Sequence, residues 1–167
     1  MEAKRVRYNG QGFSLRGEKD RFVLPSEFRK AVRESGDGER VLCLQIHPDL
    51  KCLVAFGPSR EAELDAQLDR EEEIALQRGA PFNRMLRSSQ LFGFTRIPFD
   101  DSGRFVMPPR FIKGANLDAR LFFQGAGAEF LIFNPDELAK LGDEWNHAKS
   151  GAEDCEAQAL AGKGRGK

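Results

Sequence analysis

The sequence has little of the material from which most catalytic and metal centres are made. Its 167 residues hold three cysteines (Cys43, Cys52, Cys155) and two histidines (His47, His147). None is spaced like a metal ligand or a member of a catalytic triad, and the odd number of cysteines argues against a disulfide framework. Cys43 and Cys52 lie in apolar strand contexts, where buried, unreactive thiols are expected. A glycine-rich phosphate loop with its lysine is missing, and so is a nucleophile elbow. The carboxylate pair Asp100-Asp101 stands at a strand–turn junction, where aspartate most often bonds its own turn backbone. An enzyme is therefore not expected, nor is any cofactor, metal or small-molecule substrate. No stretch approaches the ~18 apolar residues of a membrane helix. The N-terminus opens on charge (Glu2, Lys4, Arg5, Arg7) with no apolar run that would read as a signal peptide. A cytoplasmic protein is expected.

Net charge is also lacking, since 26 basic residues balance 26 acidic ones. The balance hides an uneven distribution. Residues 61–73 carry seven acids against Arg70, whereas residues 84–120 carry seven bases against three acids. Seventeen of the 26 basic residues are arginine, whose planar fork suits phosphates and guanine edges better than the point charge of lysine.

What the chain does have is internal repetition. Asp20-Arg21-Phe22-Val23-Leu24-Pro25 returns 83 residues later as Gly103-Arg104-Phe105-Val106-Met107-Pro108. Cys52 to Pro58 returns 77 residues later as Glu129 to Pro135. Two correspondences in one order identify a duplicated unit. In each copy a short strand (Arg21 to Leu24, Arg104 to Met107) ends at a proline, which lacks a strand N–H. A short helix follows (Ser26 to Glu34, Pro109 to Lys113). Next comes a hairpin, with strands Val41 to Ile46 and Lys51 to Phe56, or Arg120 to Gln124 and Glu129 to Phe133. A proline-started helix closes the second copy, with Asn134 as its N-cap, Pro135 in its first position and Glu137 completing a capping box. Between the copies Leu64 and Leu68 mark the apolar face of one helix, and Phe82 to Leu91 reads as another. Arg84 and Arg87, three apart, project from one side of the latter. From Gly151 the chain is rich in glycine, alanine and charge, and disorder is expected. Each half is too short for a core of its own, because below ~80 residues a single core is marginal.

The candidate site residues sit at the start of each copy. Asp100 stands four residues before Arg104, across a turn in which Gly103 can adopt positive φ. The carboxylate can reach the loop backbone or pair with the guanidinium, which would hold Arg104 in a set direction. In the first copy Arg21 remains, but Gly17 stands in the Asp position and Asp20 in the Gly position.

A repeated Asp-x-x-x-Arg turn followed by an aliphatic strand, proline and a short helix resembles the swapped-hairpin AbrB domain. Two such units joined by an Arg-x-x-Arg helix resemble the MraZ transcriptional regulators of the bacterial division and cell-wall gene cluster. Arg84 to Gly93, leading into Asp100 to Arg104, is the most recognisable stretch, and the resemblance covers about residues 6–148. It implies an α+β fold in which two SpoVT/AbrB-like units, 6–57 and 94–148, flank a helical linker at 58–93. These would interdigitate into one pseudo-twofold β-barrel flanked by helices and assemble into a ring-like homo-oligomer; the tail at 149–167, expected to be disordered from its composition, lies outside the resemblance. It also implies sequence-specific binding to double-stranded DNA at short promoter repeats on the nucleoid. Arg104 and Asp100 carry over to the DNA-binding site, with Arg21, Arg84 and Arg87 as further candidates. The competing reading is an antitoxin-like module gripping an acidic protein partner. The duplication disfavours it, since antitoxins usually carry one such domain plus a toxin-wrapping tail.

Overall fold

Short apolar alternations punctuated by glycine and proline give short strands, and the computed structural model, which describes residues 5–165, is built from them. The first half contains β1 (Gln11–Leu15), β2 (Arg21–Val23), α1 (Ser26–Ser35), β3 (Val41–Ile46) and β4 (Leu53–Phe56). Helices α2 (Glu61–Gln77) and α3 (Arg84–Phe92) follow. The second half contains β5 (Thr95–Pro98), β6 (Arg104–Val106), α4 (Pro109–Gly114), β7 (Arg120–Gly125) and β8 (Phe130–Phe133). Two helices end the chain, α5 (Pro135–Ala139) and α6 (Asn146–Arg165). Strands β1 and β5 go beyond the reading of the sequence.

Six strands form one antiparallel sheet in the order β1-β7-β8-β4-β3-β5, and β2 pairs with β6 in a separate ribbon. Exchanging each strand for its counterpart in the other half turns this order into itself. Each half lends its first strand to the other. β1 pairs with β7 (Phe13 opposite Phe122), and β5 pairs with β3 (Ile97 opposite Leu42). The expected barrel is not closed, because β1 and β5 are the two free edges of the sheet. The cause is local. Each edge strand runs into a tight turn, and the strands that emerge pair with each other in the ribbon instead of continuing the sheet.

One apolar core serves both halves, which resolves the size problem. Phe28, Phe123 and Phe130 are fully buried, and the Phe130 ring centroid lies 4.8 Å from Phe28 and 5.0 Å from Tyr8. Cys43 and Cys52 are both fully buried, and burial pushes their thiols up to about 11 and about 12, so they are inert at neutral pH. A satellite cluster joins Leu64 and Leu68 of α2 to Leu91 of α3. Gly79 ends the α2 segment at φ +65°, and Asn83 caps α3 by accepting the Leu86 N–H at 3.0 Å. Asn134 caps α5 through the Asp136 N–H at 2.9 Å. The reciprocal half of the expected capping box does not form. Glu137 accepts instead from Asn116 Nδ2 at 2.9 Å and Lys140 Nζ at 2.7 Å, two charged or amide donors that outcompete a backbone N–H.

The disorder expected from Gly151 onward is also corrected, because residues 146–165 form the single helix α6. Its small residues permit contact here. Ala148 and Ala152, four apart and so on one face, are both buried, and the helix lies along edge strand β1. A Cβ at Gly151 would collide with the Gln11 amide. The helix thereby packs on side chains of β1 at one end of the sheet. Residues 166 and 167 lie outside the described residues. Truncation after Ser150 is expected to lower stability by on the order of 2 kcal/mol, which is a Tm drop of about 4–8 °C. A truncated protein melting at the full-length temperature would show that α6 contributes nothing beyond its first turn.

Candidate nucleic-acid interface

The β2–β6 ribbon places the two repeated arginines on one surface. Arg21 pairs with Val106 and Val23 with Arg104 across the ribbon, with Phe22 opposite Phe105 between them. Because side chains alternate along a strand, the phenylalanines point inward and are buried, with ring centroids 6.3 Å apart. The other four residues face out. Arg21 and Arg104 occupy opposite corners of that face, and Val23 and Val106 remain 39% and 52% exposed between them.

The loop before β6 is held by a dense local network. Asp100 Oδ1 accepts the backbone N–H groups of Ser102 and Arg104, each at 2.9 Å, and Asp100 Oδ2 accepts Arg104 Nε at 2.9 Å. The carboxylate therefore does both things that the sequence left as alternatives. The Arg104 backbone N–H foremost, with the guanidinium and the Ser102 N–H, holds the Asp100 carboxyl below the usual carboxylate range. Gly103 takes φ +84°, and its carbonyl accepts the Leu24 N–H at 2.8 Å, which ties this loop to the other half. A Cβ there would run into the Arg29 guanidinium and approach the Leu24 carbonyl to 3.0 Å. Asp101 pairs with Arg40.

The first loop shares the backbone frame and lacks the support. Gly17 N–H donates to the Arg21 carbonyl at 2.7 Å, as Asp100 N–H donates to that of Arg104 at 3.0 Å. Lys19 and Asp20 are forced to φ +58° and +57°, conformations that cost non-glycine residues of order 1 kcal/mol each. The Asp20 carboxylate lies 3.9 Å from Arg16 Nε and is 79% exposed. Among the described residues the Arg21 side chain has no hydrogen-bond or ion-pair partner.

No family profile matches the chain. Curated relatives do. The chain is 30% identical to the transcriptional regulator MraZ of Thioalkalivibrio sulfidiphilus over 130 residues, covering 76% of this chain and 79% of the relative. It is also 30% identical to the MraZ of Parvibaculum lavamentivorans over 121 residues, covering 72% and 71% of the two chains. The chain belongs to the MraZ family. The MraZ of Coxiella burnetii is a more distant relative, at 21% identity over 127 residues.

In this MraZ-family protein the remaining candidates, Arg84 and Arg87, stand apart from the ribbon. Both project from one side of α3, as their spacing requires, and that side faces the acidic run of α2. Arg84 binds Asp69 and Glu72, each at 2.8 Å, and Arg87 grips Glu71 through two contacts of 2.6 and 3.0 Å. These carboxylates raise the pKa of both arginines. Two features of the interface escaped the sequence reading. The exposed pair Val23 and Val106 was hidden by the aliphatic character expected of any strand. Arg29 reaches the Gly103 loop only because the strands cross between halves. Among the described residues no cluster of His, Cys, Asp and Glu is placed to hold a metal ion, and no helix is long and apolar enough to cross a membrane.

Proposed function

We propose that this MraZ-family protein is a sequence-specific DNA-binding transcriptional regulator that presents the outer face of the β2–β6 ribbon to the duplex. The observation that carries this reading is the shared exposed face with Arg21 and Arg104 at its corners and two valines between. A two-stranded ribbon fits the ~12 Å major groove, where arginine recognises guanine and apolar groups recognise the thymine methyl. Arg104 gives only Nε to Asp100, so both Nη groups are free for a base edge or a phosphate. Arg21 contacts a phosphate. Asp100 is a positioning residue, and Arg84 and Arg87 act at one remove by fastening α3, from which the chain runs directly into β5. The curated relatives' name, transcriptional regulator, supports the same reading.

Identical copies closed into a ring would repeat this face at fixed spacing. Leu76 and Met85, 80% and 83% exposed on the α2–α3 hairpin, supply apolar surface for such contacts. Binding is then expected to favour chromosomal DNA bearing several copies of a short motif, by at least tenfold over one copy in a fragment of equal length. Sequencing the fragments that the purified protein retains at moderate salt identifies the motif, and titrating one-copy against three-copy DNA tests the spacing. Equal affinities would remove the repeated-face reading. Failure to retain any duplex would remove DNA binding itself.

A further inference from the structure

A cavity of about 830 Å³ lies between the N-terminal segment, the start of α2 and Ala128 in the β7–β8 turn. Its volume is in the range of small-molecule sites. Arg60, just before α2, forms part of its wall and is only 8% exposed. The five donors of this buried guanidinium are poorly served. Nη2 donates to Gln67, Nη1 stands 3.8 Å from Glu63, and Nε has no acceptor. Among the described residues, Arg60 Nε and Gln45 Oε1 are the buried side-chain polar atoms without a partner. A buried charge left in that condition is costly unless something else supplies the acceptors.

Arg5, Arg7 and Arg70 add three more cations to the wall. The carboxylate nearest Arg7 is again Glu63, at 3.9 Å, so one acid faces four guanidinium groups. The other side of the cavity follows from helical spacing. Ala62 and Ala66, four apart on α2, form a flat apolar strip beside the strip of Glu63, Gln67 and Arg70.

We propose that this cavity binds a small polyphosphorylated anion. Phosphate oxygens match the arginine fork, several are needed to occupy the unused donors, and the alanine strip accommodates a flat ring if the anion carries one. The site is also wired to the helical hairpin. Gln67, which takes one Arg60 donor, donates to Glu71 at 2.9 Å, and Glu71 holds Arg87 of α3. An anion that draws on Arg60 therefore bears on the contact between α2 and α3.

The test is thermal unfolding of the full-length protein with inorganic phosphate, inorganic tripolyphosphate and a nucleoside triphosphate at constant ionic strength. At about five times its dissociation constant a ligand should raise Tm by about 2–4 °C. Tripolyphosphate should bind more tightly than phosphate. Tighter binding of the nucleoside triphosphate identifies a nucleotide as the source, and equal binding identifies a bare polyphosphate. The exposed rim variant Arg5→Gln/Arg70→Gln should weaken triphosphate binding at least tenfold without changing the ligand-free Tm. Arg60→Gln should abolish binding, and the rim variant decides if that protein fails to fold. Arg21→Ala/Arg104→Ala should bind the anion normally, which separates this site from the ribbon. The proposal is overturned if no probe shifts Tm, or if the shift survives the rim variant and disappears with the ribbon arginines. It is equally overturned if the rim variant breaks up an oligomer in the absence of anion, since the cavity then receives another copy of the chain.

Discussion

Phe130→Ala is expected to lower the unfolding free energy by about 3–5 kcal/mol, read as a fall in the urea midpoint at fixed protein concentration. Phe130 is fully buried, and its ring lies within 6.3 Å, centroid to centroid, of Tyr8, Phe28 and Phe123. Its strand β8 pairs with β7 on one side and β4 on the other, so the side chain fills the seam where the halves meet. Against a typical total of 5–15 kcal/mol the loss is a large share, and little can move in to fill the space. Phe130→Leu keeps much of the volume and should cost less than half as much. A loss under about 1 kcal/mol for the alanine variant would mean that the core collapses around the missing ring and the seam is not where stability resides.

Arg104→Ala is expected to weaken specific DNA binding about 5- to 150-fold, equivalent to about 1–3 kcal/mol, and to relax preference at one base position. The first-half variant Arg21→Ala should cost less, and its loss should be uniform across sequences with a salt slope reduced by about one. The asymmetry comes from the loops. Asp100 holds Arg104 Nε and two loop N–H groups, so less side-chain freedom is lost on binding. Arg21 has no such support, and Asp20 places a negative charge beside it. Neither substitution should disturb folding, because both side chains are exposed. The exchange Gly17→Asp with Asp20→Gly should tighten binding by supplying the anchor and relieving one positive φ. A larger loss for Arg21→Ala than for Arg104→Ala would make the first loop the reader and reverse this ranking.

Local signals were legible in the sequence, and signals that depend on a distant partner were not. Val41 to Ile46 reads as a strand from its own residues and is one, and Asn134 announces its helix by capping it. Asp100, Gly103 and Arg104 lie within five residues, so their turn could be read directly. Gln11 to Leu15 contains glycine and serine and has little strand character alone. It becomes β1 because Gln124 to Arg120 lies alongside it, more than a hundred residues away. Helix α6 was concealed for the opposite reason. Its glycine and alanine content resembles a linker, yet small residues are what allow it to lie close against β1. The spacing of Arg84 and Arg87 puts them on one helix face, but their partners Asp69, Glu71 and Glu72 show in the sequence only as part of an acidic run.

The exchange of first strands between halves also sets an order of events for the chain during synthesis. When β1 leaves the ribosome its partner β7 has not been made, and β3 must wait for β5. The ribbon cannot form until β6 appears some eighty residues after β2. The nascent first half therefore has only the β3–β4 hairpin and its helices to organise around, with both faces of its future seam open. Pairings of such long sequence separation slow folding and lengthen the time that apolar strands remain exposed. In this protein the vulnerable interval for misassembly falls before the second hairpin is complete.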